Sequence, residues 1–338
     1  MMKTLNFTKV IHYNNLLRVV TFLSVLTAQV VFASPEIAKT LIPKPSIPKP
    51  VIITTIKPLA IIAQSAVGDQ ARVEYLQSAV QSAHEVSLPV SALKKIDQAD
   101  LIVWIGEMFE SRVAKPMALL SADKRITVMQ LALIAPADAG TQDEVGDHSD
   151  HAHNHGESAN SALTADPHVW LNPKNANLIA AEIQQRLELP VKEIISAEQI
   201  AQLATELTPL RGKQFLVHHD ALDHFTSSFK LQPGLSIRDA SGASQGVRSQ
   251  YRLRQEALAS SPSCIFIEPQ YADRDAQVIA EELSLPVAPI DLQGLDQALD
   301  QVRVDSAYVS FMQTLVMQFK SCFNELKGEL KGELKRDL

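Results

Sequence analysis

From Val51 onward the chain alternates between two hydrophobic periods. Short apolar, β-prone runs at Val51 to Ile56, Val73 to Leu76, Leu101 to Ile105 and Ile126 to Met129 are separated by helix-spaced stretches at Leu59 to Val67, Ser91 to Gln98 and Met108 to Leu120. Strands buried on both faces need apolar runs of this kind, and the helices between them supply crossovers, so the pattern predicts βαβ units around a parallel sheet. The alternation stops between 135 and 165, where Ala, Gly, Asp, Ser and His replace it, which predicts a long loop. Two helices are expected next, from Pro173 to about Leu187 and from Ser196 to Leu207, the second with Ile200, Leu203, Ala204 and Leu207 on one face. The alternation then restarts, with strands at Gln214 to His218, Cys264 to Ile267 and Pro286 to Ile290. The helices expected among and after them are Ala221 to Phe229, Ser249 to Ala259, Asp275 to Leu283 and a closing one from Ser306 to Phe323.

The expected fold is α/β, with two lobes that each hold a mainly parallel sheet flanked by helices. One lobe covers 51–190, including a His-rich loop at 138–165, and the other covers 211–326; a bridging helix within 191–210 joins them. Residues 34–50, with Ile-Pro-Lys-Pro occurring twice, read as an extended tether. The tail 327–338 repeats Lys-Gly-Glu-Leu without an apolar face and is expected to be disordered. Residues 1–33 carry Lys3, Lys9 and Arg18, an apolar run and then Val31-Phe32-Ala33, the layout of a secretory signal cleaved after Ala33. No cysteine near that point offers a site for a lipid, so the expected product is a soluble monomer in a Gram-negative periplasm.

Charge narrows the partners. The full chain carries a formal −7, and loss of the signal removes basic residues only, so the mature protein is more acidic still. An acidic surface disfavours nucleic acid and anionic membranes. The chain has two cysteines, Cys264 and Cys322, and in an oxidising compartment an isolated pair is expected to close one disulfide. A thiolate metal site is the alternative, but the pair lacks a Cys-x-x-Cys spacing.

Four of the ten histidines, His148, His151, His153 and His155, fall in the Asp- and Ser-rich loop, which runs on to Asp166-Pro167-His168-Val169-Trp170. Neutral imidazole is the commonest protein ligand for borderline transition metals, so a His-rich arm beside a histidine in ordered-looking sequence points to metal binding. In open parallel sheets ligands bind beyond the carboxyl ends of the strands. That rule selects His84 after the second strand, His168 after the loop, His219 at the end of a second-lobe strand and Asp291 at the end of the last one. These four residues are expected to line a cleft between the lobes. His218 precedes His219, and strand alternation sends the two to opposite faces, so at most one reaches the cleft. The loop histidines are expected to act as weak accessory sites, and His224 to pack on its helix.

At these residues the chain resembles the substrate-binding proteins of bacterial zinc and manganese ABC importers, most closely the periplasmic zinc-binding component. The segments that carry the resemblance are Thr54-Thr55-Ile56-Lys57-Pro58-Leu59, Ser82-Ala83-His84, Ala99 to Gly106, the His/Asp loop, His168 to Pro173, Val217 to Ala221, Cys264 to Gln270 and Asp291. The resemblance implies a zinc ion held between the lobes by His84, His168 and His219. It also implies that Asp291 stands where manganese-binding relatives draw a carboxylate, and it supports pairing Cys264 with Cys322. It further implies delivery of zinc to an ABC permease and, through it, the ATPase, with periplasmic metal-delivery proteins as further candidate partners. No catalysis is expected.

Manganese is the less favoured cargo, because three imidazoles suit zinc. Two other readings stay open at this point. One is a zinc hydrolase with Glu85, Glu268 or Asp291 as base, which no His-Glu-x-x-His motif supports; the other is a free-standing periplasmic metal buffer.

Overall fold

The computed structural model describes residues 48–85, 88–133, 166–272, 274–299 and 307–333, with side chains in the closing helix up to 323. The signal at 1–33, nearly all of the tether, the whole His-rich loop 138–165 and the last residues of the tail lie outside the described residues.

Two parallel four-stranded sheets organise the chain. The first holds β1 (Val51–Thr54), β2 (Arg72–Tyr75), β3 (Leu101–Trp104) and β4 (Arg125–Thr127) in the order β2-β1-β3-β4. The second holds β5 (Leu216–His219), β6 (Leu235–Arg238), β7 (Ile265–Ile267) and β8 (Val287–Pro289) in the order β6-β5-β7-β8. In each sheet the central strands are the continuous apolar runs, and all of β3 and β5 is buried. The outer strands β2 and β6 are largely half-exposed. That is why β6 is not visible as an apolar run: Leu-Ser-Ile-Arg alternates, as an edge strand with one wet face should.

Helices cover the sheets: α1 (Lys57–Val67), α2 (Val90–Gln98), α3 (Ala114–Ala118), α4 (Pro173–Arg186), α5 (Ala197–Leu207), α6 (Asp223–Phe229), α7 (Val247–Ser260), α8 (Arg274–Leu283) and α9 (Ala307–Glu333). Two positions depart from the sequence reading, and the segment between them follows it. The helix expected from Met108 to Leu120 shrinks to a 3-10 turn at Ser111–Val113 followed by α3. The buried carboxylate of Glu110 accepts the backbone N–H of Ile105 at 2.7 Å and that of Gly106 at 3.5 Å, which closes a turn where a first helical turn was expected. Within 191–210 the α-helix occupies Ala197–Leu207, opened by a capping box of Ser196 and Gln199. The residues before it are stitched to α4, since Asn177 Oδ1 accepts from Ile194 N at 2.9 Å and Gln184 Oε1 from Lys192 N at 2.9 Å. Finally, α9 continues to Glu333, into the tail expected to be disordered. A helix already nucleated by packing extends at little further cost.

α9 ties the two lobes together. Near its start, Tyr308 N donates to Ser65 Oγ of α1 at 2.9 Å, and Tyr308 Oη donates to Trp170 O at 2.7 Å. Further along, Phe319 packs among Phe215, Phe225 and Phe266 of the second lobe, and Cys322 is disulfide-bonded to Cys264 beside β7. One apolar cluster therefore runs from Ile52 in the first sheet through Trp170 and Ile179 to Phe266 and Phe319 in the second lobe. A smaller cluster, with Leu216, Ile237, Leu253, Ile265 and Ile279, fills the outer face of the second sheet.

Two expectations follow. The disulfide closes a loop of sequence separation 58, and reducing it should cost about 4 kcal/mol by the chain-entropy model, read from urea unfolding with the slope fitted freely, because the reduced unfolded chain is less compact. Burial pushes the Glu110 carboxyl up to about 7. The folded chain thus holds a proton that the unfolded chain releases near its ordinary value of 4.5, so stability falls as pH rises from about 4.5 to about 7. Glu110→Gln should remove this loss, up to roughly 3 kcal/mol, and urea midpoints at pH 5 and pH 8 should then differ less than in the unsubstituted chain.

Candidate metal centre

Strand alternation and register build the site. Along β5, Phe215 and Val217 enter the main core while Leu216 enters the outer cluster, so His219 points with the former and His218 with the latter. The pairing of β5 with β7 matches Leu216 to Ile265 and Val217 to Phe266. Continued two residues, that register sets Glu268 beside His219. His219 Nδ1 hydrogen-bonds Glu268 Oε1, and the two side chains are only 3% and 5% exposed.

His168 comes from the first lobe, where Asp166-Pro167-His168 forms a local turn. Asp166 Oδ1 accepts from the His168 backbone N–H at 3.0 Å and from its Nδ1 at 2.7 Å. A carboxylate only accepts, so Nδ1 carries the proton in both His168 and His219, and both Nε2 atoms are left with lone pairs. Those two atoms lie 3.2 Å apart. At that distance two neutral rings need a shared cation, a proton or a metal ion, between their lone pairs, and the raised His219 pKa lets a proton meet part of that demand.

His84 supplies the third nitrogen from a 3-10 turn, Ala83–Glu85, in the segment after β2. Its ring packs edge-on against Phe109 at 4.4 Å, and its buried Nε2 has no hydrogen-bond partner. Among the described residues, His84, His168 and His219 form the group whose ligand atoms all lie within 4.8 Å of one another. Burial, reinforced by the neighbouring His168 and His219, drives the His84 pKa down to about 2. Burial likewise holds His168 well below the usual imidazole range. At His219 burial also opposes charge, but the charge and hydrogen bond of Glu268 outweigh it and raise the pKa. Two of the three imidazoles are therefore neutral at any ordinary pH, which is the form that ligates metal.

Asp291, expected in the cleft, is not brought into this group. It caps the turn after β8: Oδ1 accepts from Gln293 N at 3.0 Å and from Gln270 Nε2 at 3.4 Å, and Oδ2 accepts from Leu295 N. A short carboxylate followed by Leu-Gln-Gly is a turn cap before it is a ligand. The loop histidines His148, His151, His153 and His155 lie outside the described residues. His218 bonds Asp275 Oδ1 at 3.1 Å on the outer face, and His224 Nε2 hydrogen-bonds Asp166 O at 3.1 Å. Sequence reasoning missed the supporting roles of Asp166 and Glu268. The signals were present, as Asp166 stands two residues before His168 and Glu268 continues the inward positions Cys264 and Phe266.

Known proteins resemble this chain over most of its length. The family model described as "Zinc-uptake complex component A periplasmic" matches residues 52–322. The high-affinity zinc uptake system protein ZnuA of Yersinia pestis is 28% identical over 298 residues, covering 80% of this chain and 90% of that one. The protein of the same name from Haemophilus influenzae is 24% identical, covering 80% and 92%. Among solved structures, a crystal structure of ZnuA superposes with a TM-score of 0.57 at 20% identity, covering 80% of this chain and 99% of that one. The periplasmic zinc-binding protein TroA from Treponema pallidum gives 0.61 at 14% identity, covering 81% and 99%, and shows the same two-lobed fold. With its family model spanning both sheets and all three clustered histidines, the chain belongs to the periplasmic zinc-uptake component A family.

Proposed function

We propose that the protein captures zinc in the periplasm through His84, His168 and His219 and delivers it to the permease of an ABC importer, and through the permease to its ATPase. The observation that carries this reading is the convergence of three nitrogen donors in a buried space with no carboxylate among them. Zinc takes imidazole nitrogens tetrahedrally at roughly 2.0–2.1 Å, which sets neighbouring donors about 3.3 Å apart. The 3.2 Å between the His168 and His219 nitrogens fits one edge of that tetrahedron. Manganese favours oxygen donors, and the carboxylate that would have supplied one, Asp291, is engaged in its turn. Asp166 and Glu268 add two negative charges next to neutral ligands, a match for a dication with no charge left over.

In this reading residues 1–33 are removed after Ala33, the mature chain acts as a monomer, and the His-rich loop offers weak accessory sites. Its parts are the lobes 51–190 and 211–326, linked through 191–210. Of the three candidate bases in the zinc-hydrolase alternative, Glu85 has its side chain outside the described residues. Glu268 is bound to His219 and Asp291 to backbone amides, so neither is positioned to accept a proton from a metal-bound water.

Competitive titration of the mature chain, purified without a His-tag, should find one tight zinc per molecule. That zinc should survive deletion of residues 146–157 and vanish in His168→Ala; tight binding that follows the deleted loop instead would make the protein a metal buffer. Asp166→Asn and Glu268→Gln keep size but weaken the hold on the imidazole tautomers, and each should lower zinc affinity about 10- to 100-fold. Equal affinity in both variants would mean that the carboxylates only pack.

A further inference from the structure

His168 and His219 are each hydrogen-bonded by a carboxylate of their own, whereas His84 feels the charge of Asp239 with no hydrogen bond to it among the described contacts. Within its own lobe His84 packs on Phe109, and Gln77 Nε2 donates to Ser82 O just before it; the remaining hold on this segment comes from the other lobe. Three side chains following β7 and β8 reach across and end on the four residues from Ala79 to Ser82, just before His84. Gln270 Nε2 donates to Ala79 O at 3.0 Å, and Gln293 Nε2 donates to Gln81 O at 3.0 Å. Tyr271 Oη and Ser82 Oγ share a hydrogen bond at 2.9 Å, and the same Oγ accepts the backbone N–H of His84 at 3.3 Å.

Asp291 organises two of these three contacts. Its Oδ1 accepts the second N–H of the Gln270 side chain and the backbone N–H of Gln293, so one carboxylate holds the first amide directly and the second through its backbone. The turn it caps stands on a firm platform. Gly294 adopts φ +65°, and a Cβ there would come within 2.6 Å of Ile61 Cδ1 in α1. The next residue, Leu295, offers its carbonyl to Lys57 Nζ at 2.8 Å. The donors are thus fixed, and the segment they hold is exposed at Gln81 and half-exposed at His84 itself.

We propose that Gln270, Tyr271 and Gln293, aimed by Asp291, are positioning residues that latch the His84 segment to the second lobe and thereby set how fast the ion leaves. This rests on the zinc reading of the three histidines. Parting of the latch withdraws one ligand of three while the carboxylate-held pair His168 and His219 stays in place, so release begins at His84. Asp291 then acts on the metal through the latch and not as a ligand.

The test is stopped-flow transfer of zinc from the loaded chain to an excess of a chromophoric chelator, with zinc association measured separately. Gln270→Ala and Gln293→Ala should each speed release about tenfold, the worth of one hydrogen bond, with association changed far less. Gln293→Glu should speed release like the alanine variant, because an ionised carboxylate of the same size cannot donate to the Gln81 carbonyl. It also keeps the test open if an alanine variant does not fold. Release at the unsubstituted rate in the Gln270/Gln293 variants, or an effect confined to association, overturns the latch. Failure of the unsubstituted chain to bind zinc tightly would overturn the transport reading itself, and it is seen before any variant is made.

Discussion

The structure depends on one apolar body being shared by both lobes. Trp170 lies at its middle, 1% exposed, with its indole N–H on Leu292 O, its own carbonyl on the Tyr308 hydroxyl and its ring 5.2 Å from that of His168. A wide hinge motion would have to open this core to water, at roughly 25 cal/mol for each Å² of apolar surface exposed. α9 opposes it further, since it is packed on α1 at one end and bonded covalently beside β7 at the other. Movement at the site is therefore cheapest in segments that add little to the shared core, and the stretch from Gln77 to Glu85, which adds only Ala83 to it, carries a metal-facing side chain.

Burial has two effects at the cleft that work together. It strips the imidazoles of their protons, as the depressed values of His84 and His168 record, and it makes each nearby carboxylate count for more than it would in water. Burial raises the Asp166 carboxyl as well, so an empty site is electrostatically uncomfortable from both sides. A divalent ion relieves both strains at once. The same two effects that favour an ion at these nitrogens also oppose its departure, so in the proposed reading release is the harder step.

Much of this was legible in the chain. The apolar runs of β1, β3, β5 and β7 mark the sheets, because central parallel strands are buried on both faces, and the rule about strand ends then finds His84, His168 and His219. Edge strand β6 was invisible for the complementary reason. The turn at Glu110 and the turn at Asp291 were misread because both depend on a carboxylate folding back onto backbone amides, which leaves no hydrophobic period to detect. Asp291 was misjudged most: an acidic residue at the right strand end looks like a ligand until its donors are counted. Glu268 shows the reverse, a ligand's partner that only strand register, not local sequence, sets beside His219.

The doubled histidine of β5 has one more consequence. A strand slipped by a single residue would turn every side chain over and still present an imidazole to the cleft, so a metal alone would not reject the error. The partner of His218 does not remove this ambiguity. The His218 ring bonds Asp275, which Arg238 of the neighbouring β6 also grips, Nε to Oδ2 at 2.8 Å. In a slipped strand His219 would be offered to that pair while His218 faced Glu268, so both carboxylates would still meet an imidazole. What the slip cannot satisfy is Phe215, which would be forced into the small outer cluster, so strand alignment here is read by an aromatic ring and not by the doubled histidine.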